Sequence, residues 1–223
     1  MSGDAGDRHS HADSAQLITN PKEIAEREAL NGLRQFDAGM ESVETYLDPE
    51  RPFKLRLSLI LELHRCALEG ISAYAGNFRP GGVEIKGSAH EPIGAHLVAA
   101  NVEDLCDYVN DNWTEKSALH LAAYVLWRLN WIHPFADGNG RTSRILSYVV
   151  LCLKLGYKIP GTRTIPDQIS ENKNPYYEAL DDADAHAKEG HIDTSKLEEL
   201  LSELLAAQLL SIVEEATGKP TEM

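Results

Sequence analysis

Most apolar residues of this chain recur with the spacing of amphipathic or buried helices. One stretch, residues 52–69, is apolar on nearly every side, which is typical of a helix in the middle of a core. Within it, His64 is predicted to be a hydrogen-bonded core histidine. The helical patterns cover residues 21–36, 52–69, 100–111, 115–131, 141–155 and 196–217, and a further helix opens at Asn174. Together they predict an all-α fold.

Several of these helices carry recognisable end signals. Asn20 followed by Pro21 predicts an N-cap and a first helical position, and Gly156 predicts the end of the helix 141–155. Ser195 with Glu198 predicts a capping box at the start of the last helix. The apolar stripe of that helix suits packing on the domain and equally a seam between two copies, so a homo-oligomer stays open.

Residues 76–97 interrupt the helical pattern with glycines and prolines. Within this stretch, residues 83–86 alternate apolar and polar side chains, as a short half-exposed strand does. We expect residues 83–97 to form a β-hairpin or flap, and the alternative is a plain surface excursion.

The chain is predicted to divide into four parts. Residues 1–18 are rich in Ser, Asp, Ala and His without a hydrophobic period, which predicts a disordered tail. A helical region at 19–48 follows, then a main domain at 49–190. The C-terminal helix occupies the remainder, 191–223.

Composition limits the classes of partner. The formal net charge of −14 over 223 residues, with a pI near 5.0, disfavours nucleic acid and acidic membrane surfaces. No apolar stretch approaches the ~20 residues of a membrane-spanning helix, and the first residues lack a signal-peptide core. Cys66, Cys106 and Cys152 lie far apart in apolar stretches, as reduced thiols do. We therefore expect a cytoplasmic protein.

The densest group of reactive side chains is the run HPFADGNGRTSR at residues 133–144. Arg141 and Arg144 fall in the first turn of the helix 141–155, where cations oppose the helix dipole. An anion in front of that helix would account for both arginines. The turn at 138–140 contains two glycines and can direct consecutive N–H groups at one anion. The run predicts a polyphosphate site, with a helix cap and two solvated arginines as the alternative.

His133 and Asp137 supply the chemistry beside this site. A histidine titrates near neutrality and can take a proton from a hydroxyl nucleophile. The Asp137 carboxylate offers the hard oxygen ligands that Mg²⁺ prefers. Taken singly, each residue is more often a hydrogen-bonding or turn-forming residue. Next to a phosphate site, the catalytic and metal-binding interpretations are favoured.

The same run resembles the signature of the Fic family, His-x-Phe-x-Asp-Gly-Asn-Gly-Arg-x-x-Arg, at every specified position. The resemblance extends over about residues 50–190. Fic proteins are mostly helical enzymes that transfer AMP from ATP to a hydroxyl side chain of a target protein and release pyrophosphate. The resemblance implies that His133 deprotonates the target hydroxyl, that Asp137 holds Mg²⁺ and that Phe135 packs inward to anchor the loop.

The resemblance also implies a nucleotide-binding set. Residues 138–141 would cradle the phosphates, and Arg144 would pair with a terminal phosphate. The two tyrosines after the motif helix would line the adenine pocket, although packing is the usual use of such a pair. The full set comprises Asp137, Gly138, Asn139, Gly140, Arg141, Thr142, Ser143, Arg144, Tyr176 and Tyr177.

In Fic relatives a flap clamps the target segment by pairing with its backbone. By resemblance the clamp edge here consists of Val83, Glu84, Ile85, Lys86 and Gly87. The acceptor would be a Tyr, Thr or Ser hydroxyl of a target protein, or of the chain itself. Other transfers known on this fold, of UMP, a phosphoryl group or phosphocholine, remain as alternatives, as does an ATP-binding switch without catalysis.

Many Fic relatives restrain themselves with a helix that carries Ser/Thr-x-x-x-Glu-Gly/Asn. The helix 21–36 holds the candidate regulatory residues Glu28, Leu30 and Asn31. Leu30 stands where that pattern has Glu, and a leucine cannot accept a hydrogen bond from Arg144. We therefore expect weak or absent self-inhibition through position 30, and a packing helix with an acidic face is the simpler alternative.

Overall fold

Helices make up nearly all of the regular structure in residues 8–12 and 15–217, which the computed structural model describes. A 3₁₀ turn at Ala95–Leu97 and two strands of three residues, β1 (His9–His11) and β2 (Glu84–Lys86), complete it. The helices are α1 (Pro21–Tyr46), α2 (Leu57–Leu68), α3 (Val98–Asp111), α4 (Ala118–Ile132), α5 (Asn139–Leu155), α6 (Ile165–Glu171), α7 (Asn174–Lys188) and α8 (Ser195–Thr217). The prediction of an all-helical fold is confirmed.

The centre of the core is the pair α4 and α5. Helix α5 packs against α1, α2, α4 and α6, and α4 packs against α3, α5, α7 and α8. Residues 145–153 of α5 are all buried, which explains why this helix is apolar on every side. The loop between the two helices is therefore held by neighbours on both sides.

Helix α2 is shorter than the predicted stretch 52–69 and begins at Leu57. The preceding residues stay extended because the Asn110 side chain takes both backbone groups of Leu55. Its Oδ1 accepts from the Leu55 N–H at 2.8 Å and its Nδ2 donates to the Leu55 carbonyl at 2.9 Å. The hydrogen bonds from Asn110 of α3 replace those that Leu55 would make in a helix. Local periodicity cannot predict this, because the partner lies far away in the sequence.

Helix α1 begins as predicted, with Asn20 Oδ1 accepting from the Lys22 N–H at 3.0 Å, and it runs ten residues further than expected, to Tyr46. Two buried amide side chains join it to α2. Asn31 Nδ2 donates to the Glu69 carbonyl at 2.8 Å and Gln35 Nε2 donates to the Leu63 carbonyl at 3.0 Å. These bonds fix the position of α1 along α2.

Two other helix starts differ from the prediction by a residue or more. Helix α4 is capped by Ser117, whose Oγ accepts from the His120 N–H at 3.0 Å. At α8 the hydroxyl that pairs with Glu198 belongs to Thr194, at 3.0 Å, and not to Ser195. Helix α6 was not predicted, because its seven residues are too few to show a period. The apolar face of α8 packs on α4, α6 and α7.

Strand β2 forms in the predicted flap, but its hydrogen-bonded partner is β1 from the start of the chain. The predicted hairpin is therefore wrong, because residues 88–97 contain no second strand. The two strands are antiparallel, with Ser10 opposite Ile85. We expected disorder over residues 1–18, but residues 9–11 are a strand because a partner more than 70 positions away supplies their hydrogen bonds. Residues 1–7 and 13–14 of that predicted tail lie outside the described residues.

None of the helices in the described ranges is long and apolar enough to cross a membrane. The three cysteines are free thiols, as their spacing predicted. Burial raises the pKa of Cys106 to about 12 and that of Cys152 to about 11, so both are unreactive at neutral pH.

Candidate active site

The predicted site lies on the loop that joins α4 to α5. His133 ends α4 in the left-handed region, at φ 51°, and turns the chain into the loop. The Asn139 side chain then closes the loop, because its Oδ1 accepts from the Phe135 N–H at 2.9 Å and its Nδ2 donates to the Phe135 carbonyl at 2.8 Å. The amide of Asn139 is thus engaged by the loop, while the backbone N–H groups of the first turn of α5 face outward from the helix start.

Phe135 is fully buried and stacks on the ring of His64, with 3.6 Å between the ring centroids. His64 Nδ1 accepts from the Gly76 N–H at 3.0 Å, so its Nε2 carries the proton and donates to the Asp137 carbonyl at 3.0 Å. Burial lowers the pKa of His64 to about 4. His64 is therefore a satisfied, neutral core histidine that also holds the loop between α4 and α5.

His133 has the opposite arrangement of ring nitrogens. Its Nδ1 lies 3.2 Å from the Asn130 carbonyl, which can only accept, so Nδ1 carries the proton. Nε2 is consequently the unprotonated nitrogen, and it is directed at the Ser10 hydroxyl, 2.8 Å away. Burial lowers the pKa of His133 to about 4, so the ring is neutral at physiological pH and Nε2 can accept a proton.

Arg79 connects the flap to this loop and was missed by the sequence reasoning. Its buried guanidinium donates from Nε to the His133 carbonyl at 2.7 Å and from Nη1 to the Gly81 carbonyl at 2.7 Å, and Nη2 donates to the Ile93 carbonyl. Its backbone N–H donates to the Pro134 carbonyl at 2.9 Å. An arginine inside a Gly- and Pro-rich stretch was the available signal, because such a side chain can satisfy several loop carbonyls.

The loop, the flap and α7 enclose a cavity of about 560 Å³, within the range of small-molecule sites. It brings together most of the predicted residues. Those that line it are His133, Asp137, Gly138, Asn139, Gly140, Arg141, Arg144, Tyr176, Tyr177, Glu28 and Ile85. Flap, motif and tyrosines thus meet at one site although Ile85 and Tyr177 lie 92 residues apart in the chain.

Arg141 lies between two carboxylates at the mouth of this cavity. Its Nη1 is 2.9 Å from Glu28 Oε1 and its Nη2 is 3.1 Å from Asp137 Oδ2. Arg144 lines the same cavity next to Gly140, where an added Cβ would lie 3.1 Å from the Arg144 Nη1. Glycine at position 140 therefore leaves room for the second arginine.

Some predicted residues are placed elsewhere. Thr142 and Ser143 are fully buried on the core side of α5, where Ser143 Oγ donates to the Gly140 carbonyl at 3.1 Å, so their side chains do not line the cavity. Of the five predicted clamp-edge residues only Ile85 lines the cavity, together with Ser88 and His90 further along the flap. The other four clamp-edge residues, Val83, Glu84, Lys86 and Gly87, do not line it.

The three candidate regulatory residues have separate environments. Glu28 lines the cavity and pairs with Arg141. Leu30 is 43% exposed and lies away from the cavity, while Asn31 is buried against the end of α2. Leu30 thus lies outside the cavity lining, and weak or absent self-inhibition through position 30 stays a prediction.

Both tyrosines line the cavity from the start of α7. The Tyr176 hydroxyl accepts from Asn130 Nδ2 at 2.8 Å, which ties it to the helix that carries His133. The Tyr177 ring has the Arg8 guanidinium 4.5 Å from its centroid. Arg8, Ser10 and Asn130 had no distinctive sequence pattern and were not predicted.

Asp137 is the motif residue suited to a metal ion. Its side chain is 56% exposed to the cavity and offers hard oxygen atoms. In the described part of the chain, the one group of three or more metal-ligating side chains is His186, His191 and Asp193, outside the cavity lining. A cation at Asp137 would therefore need phosphate oxygens and water as further ligands, which is how Mg²⁺ commonly binds.

Residues 52–151, which include α2 to α4, the loop and most of α5, match the model of the Fic/DOC family. This stretch of the chain is therefore similar to a Fic domain, as the motif indicated. The protein adenylyltransferase Fic of Drosophila willistoni is 36% identical over 125 residues, which cover 53% of this chain and 24% of that protein. The chain thus spans about a quarter of the length of the curated relatives it matches.

Solved structures of Fic proteins share the fold. A Fic family protein from Desulfovibrio desulfuricans G20 has a TM-score of 0.65 at 22% identity, over 92% of this chain and 57% of that one. The N-terminal Fic domain of a cell filamentation protein from Bartonella quintana, solved with bound ADP, has a TM-score of 0.59 at 20% identity. That match covers 87% of this chain and 90% of the Bartonella domain.

Proposed function

We propose that the protein transfers AMP from ATP to a Tyr, Thr or Ser hydroxyl of a target protein and releases pyrophosphate. The observation that carries the proposal is the neutral ring of His133, whose unprotonated Nε2 points into a cavity lined by Arg141, Arg144 and the first turn of α5. The relatives named protein adenylyltransferase and the ADP-bound Bartonella domain support ATP as the donor.

In this reaction the acceptor oxygen attacks the α-phosphorus of ATP as its proton passes to His133 Nε2. The Nδ1–H bond to the Asn130 carbonyl keeps the ring in the tautomer that can accept this proton. The bond from the α-phosphorus to the bridging oxygen breaks, and pyrophosphate leaves. Arg141, Arg144 and the backbone N–H groups at the start of α5 hold the phosphates in line, so positioning supplies much of the rate.

Asp137 would hold Mg²⁺ with the phosphates. When bound, the cation neutralises charge on the phosphate oxygens. The exposed carboxylate on the cavity wall fits this use, and its contact with Arg141 at 3.1 Å would yield to a stronger ligand. Tyr176 and Tyr177 would flank the adenine, and an extended target segment would pair with β2 at the flap.

The decisive experiment is incubation of the purified protein and a cell lysate with ATP labelled at the α-phosphate or, in parallel, at the γ-phosphate. AMP transfer labels protein from the α-labelled donor alone. Label from the γ-phosphate beyond that of lysate alone would instead identify a phosphoryl transferase. Nucleotide binding without label beyond that of lysate alone would identify a non-catalytic module.

His133→Ala is expected to abolish labelling and to change ATP affinity by no more than a few-fold, because a general base acts in the transition state and not in binding. His96→Ala is the matched control, since His96 is exposed and lies outside the cavity. Labelling assays paired with calorimetric ATP titration separate the two effects. A loss of ATP affinity as large as the loss of transfer would contradict the assignment.

A further inference from the structure

Strand β1 occupies the flap edge that the proposed function assigns to a target segment. The antiparallel register pairs His9 with Lys86, Ser10 with Ile85 and His11 with Glu84. Directly opposite residues of such a pair share a face, so the Ser10 side chain projects on the same side as Ile85, the β2 residue that lines the cavity. The chain therefore presents a hydroxyl of its own at the position where an acceptor is required.

The hydroxyl of Ser10 is in contact with the proposed general base. Its Oγ lies 2.8 Å from His133 Nε2, within the distance over which a general base takes a proton. Because Nδ1 of the ring is committed to the Asn130 carbonyl, Ser10 is the donor and Nε2 the acceptor. Asn139 Nδ2, at 3.5 Å, is the second polar neighbour of this oxygen.

The segment is held on both sides of Ser10. On one side, Arg8 Nη2 lies 2.6 Å from Asp181 Oδ2, and the Arg8 N–H donates to the Tyr177 hydroxyl at 3.3 Å. On the other side, the Leu17 N–H donates to the Ile71 carbonyl at 2.8 Å. Contacts to α7 and to the turn after α2 thus position the serine within its own molecule.

We propose that Ser10 is an acceptor of AMP within the same molecule; this inference rests on the proposed function and names a substrate for it. Ser10 Oγ forms a bond to the α-phosphorus of ATP, its proton passes to His133 Nε2, and the bond to the departing pyrophosphate breaks. The product is a phosphodiester between Ser10 and AMP. Because the acceptor is tethered beside the base, its effective concentration is far above that of a free protein target.

Arg8 defines what has to move when ATP binds. Its guanidinium covers the Tyr177 ring at 4.5 Å, and adenine is proposed to stack on the same ring. Arg8 therefore leaves this ring as ATP binds, while the pairing of β1 with β2 keeps Ser10 at His133.

The test uses the full chain, purified and incubated with ATP and Mg²⁺, followed by intact-mass and peptide mass spectrometry. We expect a single AMP on Ser10, its absence in Ser10→Ala and its retention in Ser10→Thr. Thr19→Ala is the control, because Thr19 is an exposed hydroxyl residue of the same region of the chain. The observed rate constant should not change with protein concentration, since the transfer is intramolecular.

A parallel reaction adds cell lysate and α-labelled ATP to the parent protein and to Ser10→Ala. AMP on lysate proteins without AMP on Ser10 overturns this inference and leaves the proposed function intact. A rate that rises with protein concentration overturns transfer within one molecule. Faster lysate labelling by Ser10→Ala, with no modification of the parent protein, also overturns the inference and shows that the β1 segment blocks access of targets to the site. Absence of AMP from every protein overturns the proposed function as well.

Discussion

His64 and His133 both have a pKa lowered by burial, yet their ring nitrogens are used differently. The Nδ1 of His64 meets a backbone N–H and therefore accepts, whereas the Nδ1 of His133 meets a carbonyl and therefore donates. This one difference in partner leaves Nε2 of His133 as the acceptor toward the cavity. At residue scale, the local backbone group sets which histidine can act as a base.

The Glu28 carboxylate competes with the proposed nucleotide phosphates for Arg141, because it pairs with that guanidinium at 2.9 Å. Glu28→Gln should strengthen ATP binding by about 2–5-fold, since a half-exposed ion pair contributes roughly 0.5–1 kcal/mol. Isothermal titration measures the change. Glu26→Gln is the control, because it removes the same charge from an exposed position on α1. Equal affinities for the parent protein and Glu28→Gln would show that this carboxylate does not compete with phosphate.

At the scale of elements, the turn from α4 into α5 depends on Gly138. This residue has φ +76°, and a Cβ added there would lie 2.5 Å from Leu68 Cδ2 and 3.3 Å from His64 Cδ2. Backbone strain and steric overlap therefore act together on any larger residue at position 138. The loop is fitted to α2 as closely as a core side chain is.

Gly138→Ala should lower the free energy of unfolding by about 1–3 kcal/mol and reduce transfer activity, because the loop must shift. Gly32→Ala provides the contrast, since Gly32 lies inside α1 with open space around it. This variant should raise the free energy of unfolding by about 0.5–1 kcal/mol. Urea unfolding of both variants measures the two effects. A stable, active Gly138→Ala protein would mean that the loop tolerates a different path.

The elements that could be predicted are those whose own residues carry a motif, an apolar period or a capping residue. The motif and the apolar run after it located α5, its glycine C-cap and the turn that is proposed to bind phosphate. Strand β1 could not be predicted, because three residues show no period and their partner lies in the flap. The burial of Thr142 and Ser143 could not be predicted either, because it depends on which face of α5 packs against α4 and not on the motif itself.

At the scale of the whole molecule, two neutral buried histidines tie stability to pH. Unfolded histidines titrate near 6.5, whereas the pKa of both His64 and His133 is about 4 in the folded protein. Between those values the unfolded chain binds protons that the folded protein does not, so stability falls as pH decreases. Between pH 6.5 and pH 4, each histidine lowers the free energy of unfolding by roughly 3 kcal/mol in total.

The free energy of unfolding should therefore decrease steadily between about pH 6.5 and pH 4, as measured by urea titrations at a series of pH values. In His64→Gln the decrease should be about half as large, because one of the two titrating groups is removed. An unchanged pH dependence in that variant would place the linked protons on other groups.

The hydrogen bonds that the side-chain amides of Asn31 and Gln35 make at α2 limit how α1 can move. Sliding α1 along α2 would leave buried amides and carbonyls without partners, at a cost of about 1–3 kcal/mol for each group. A rigid-body shift of α1 therefore has a high free-energy cost, whereas rotation of the Glu28 side chain about its own bonds has a low one. Any release of Arg141 from Glu28 should thus be a rotamer change on the nanosecond scale, with the amide hydrogens of α1 remaining as protected from exchange as those of α5.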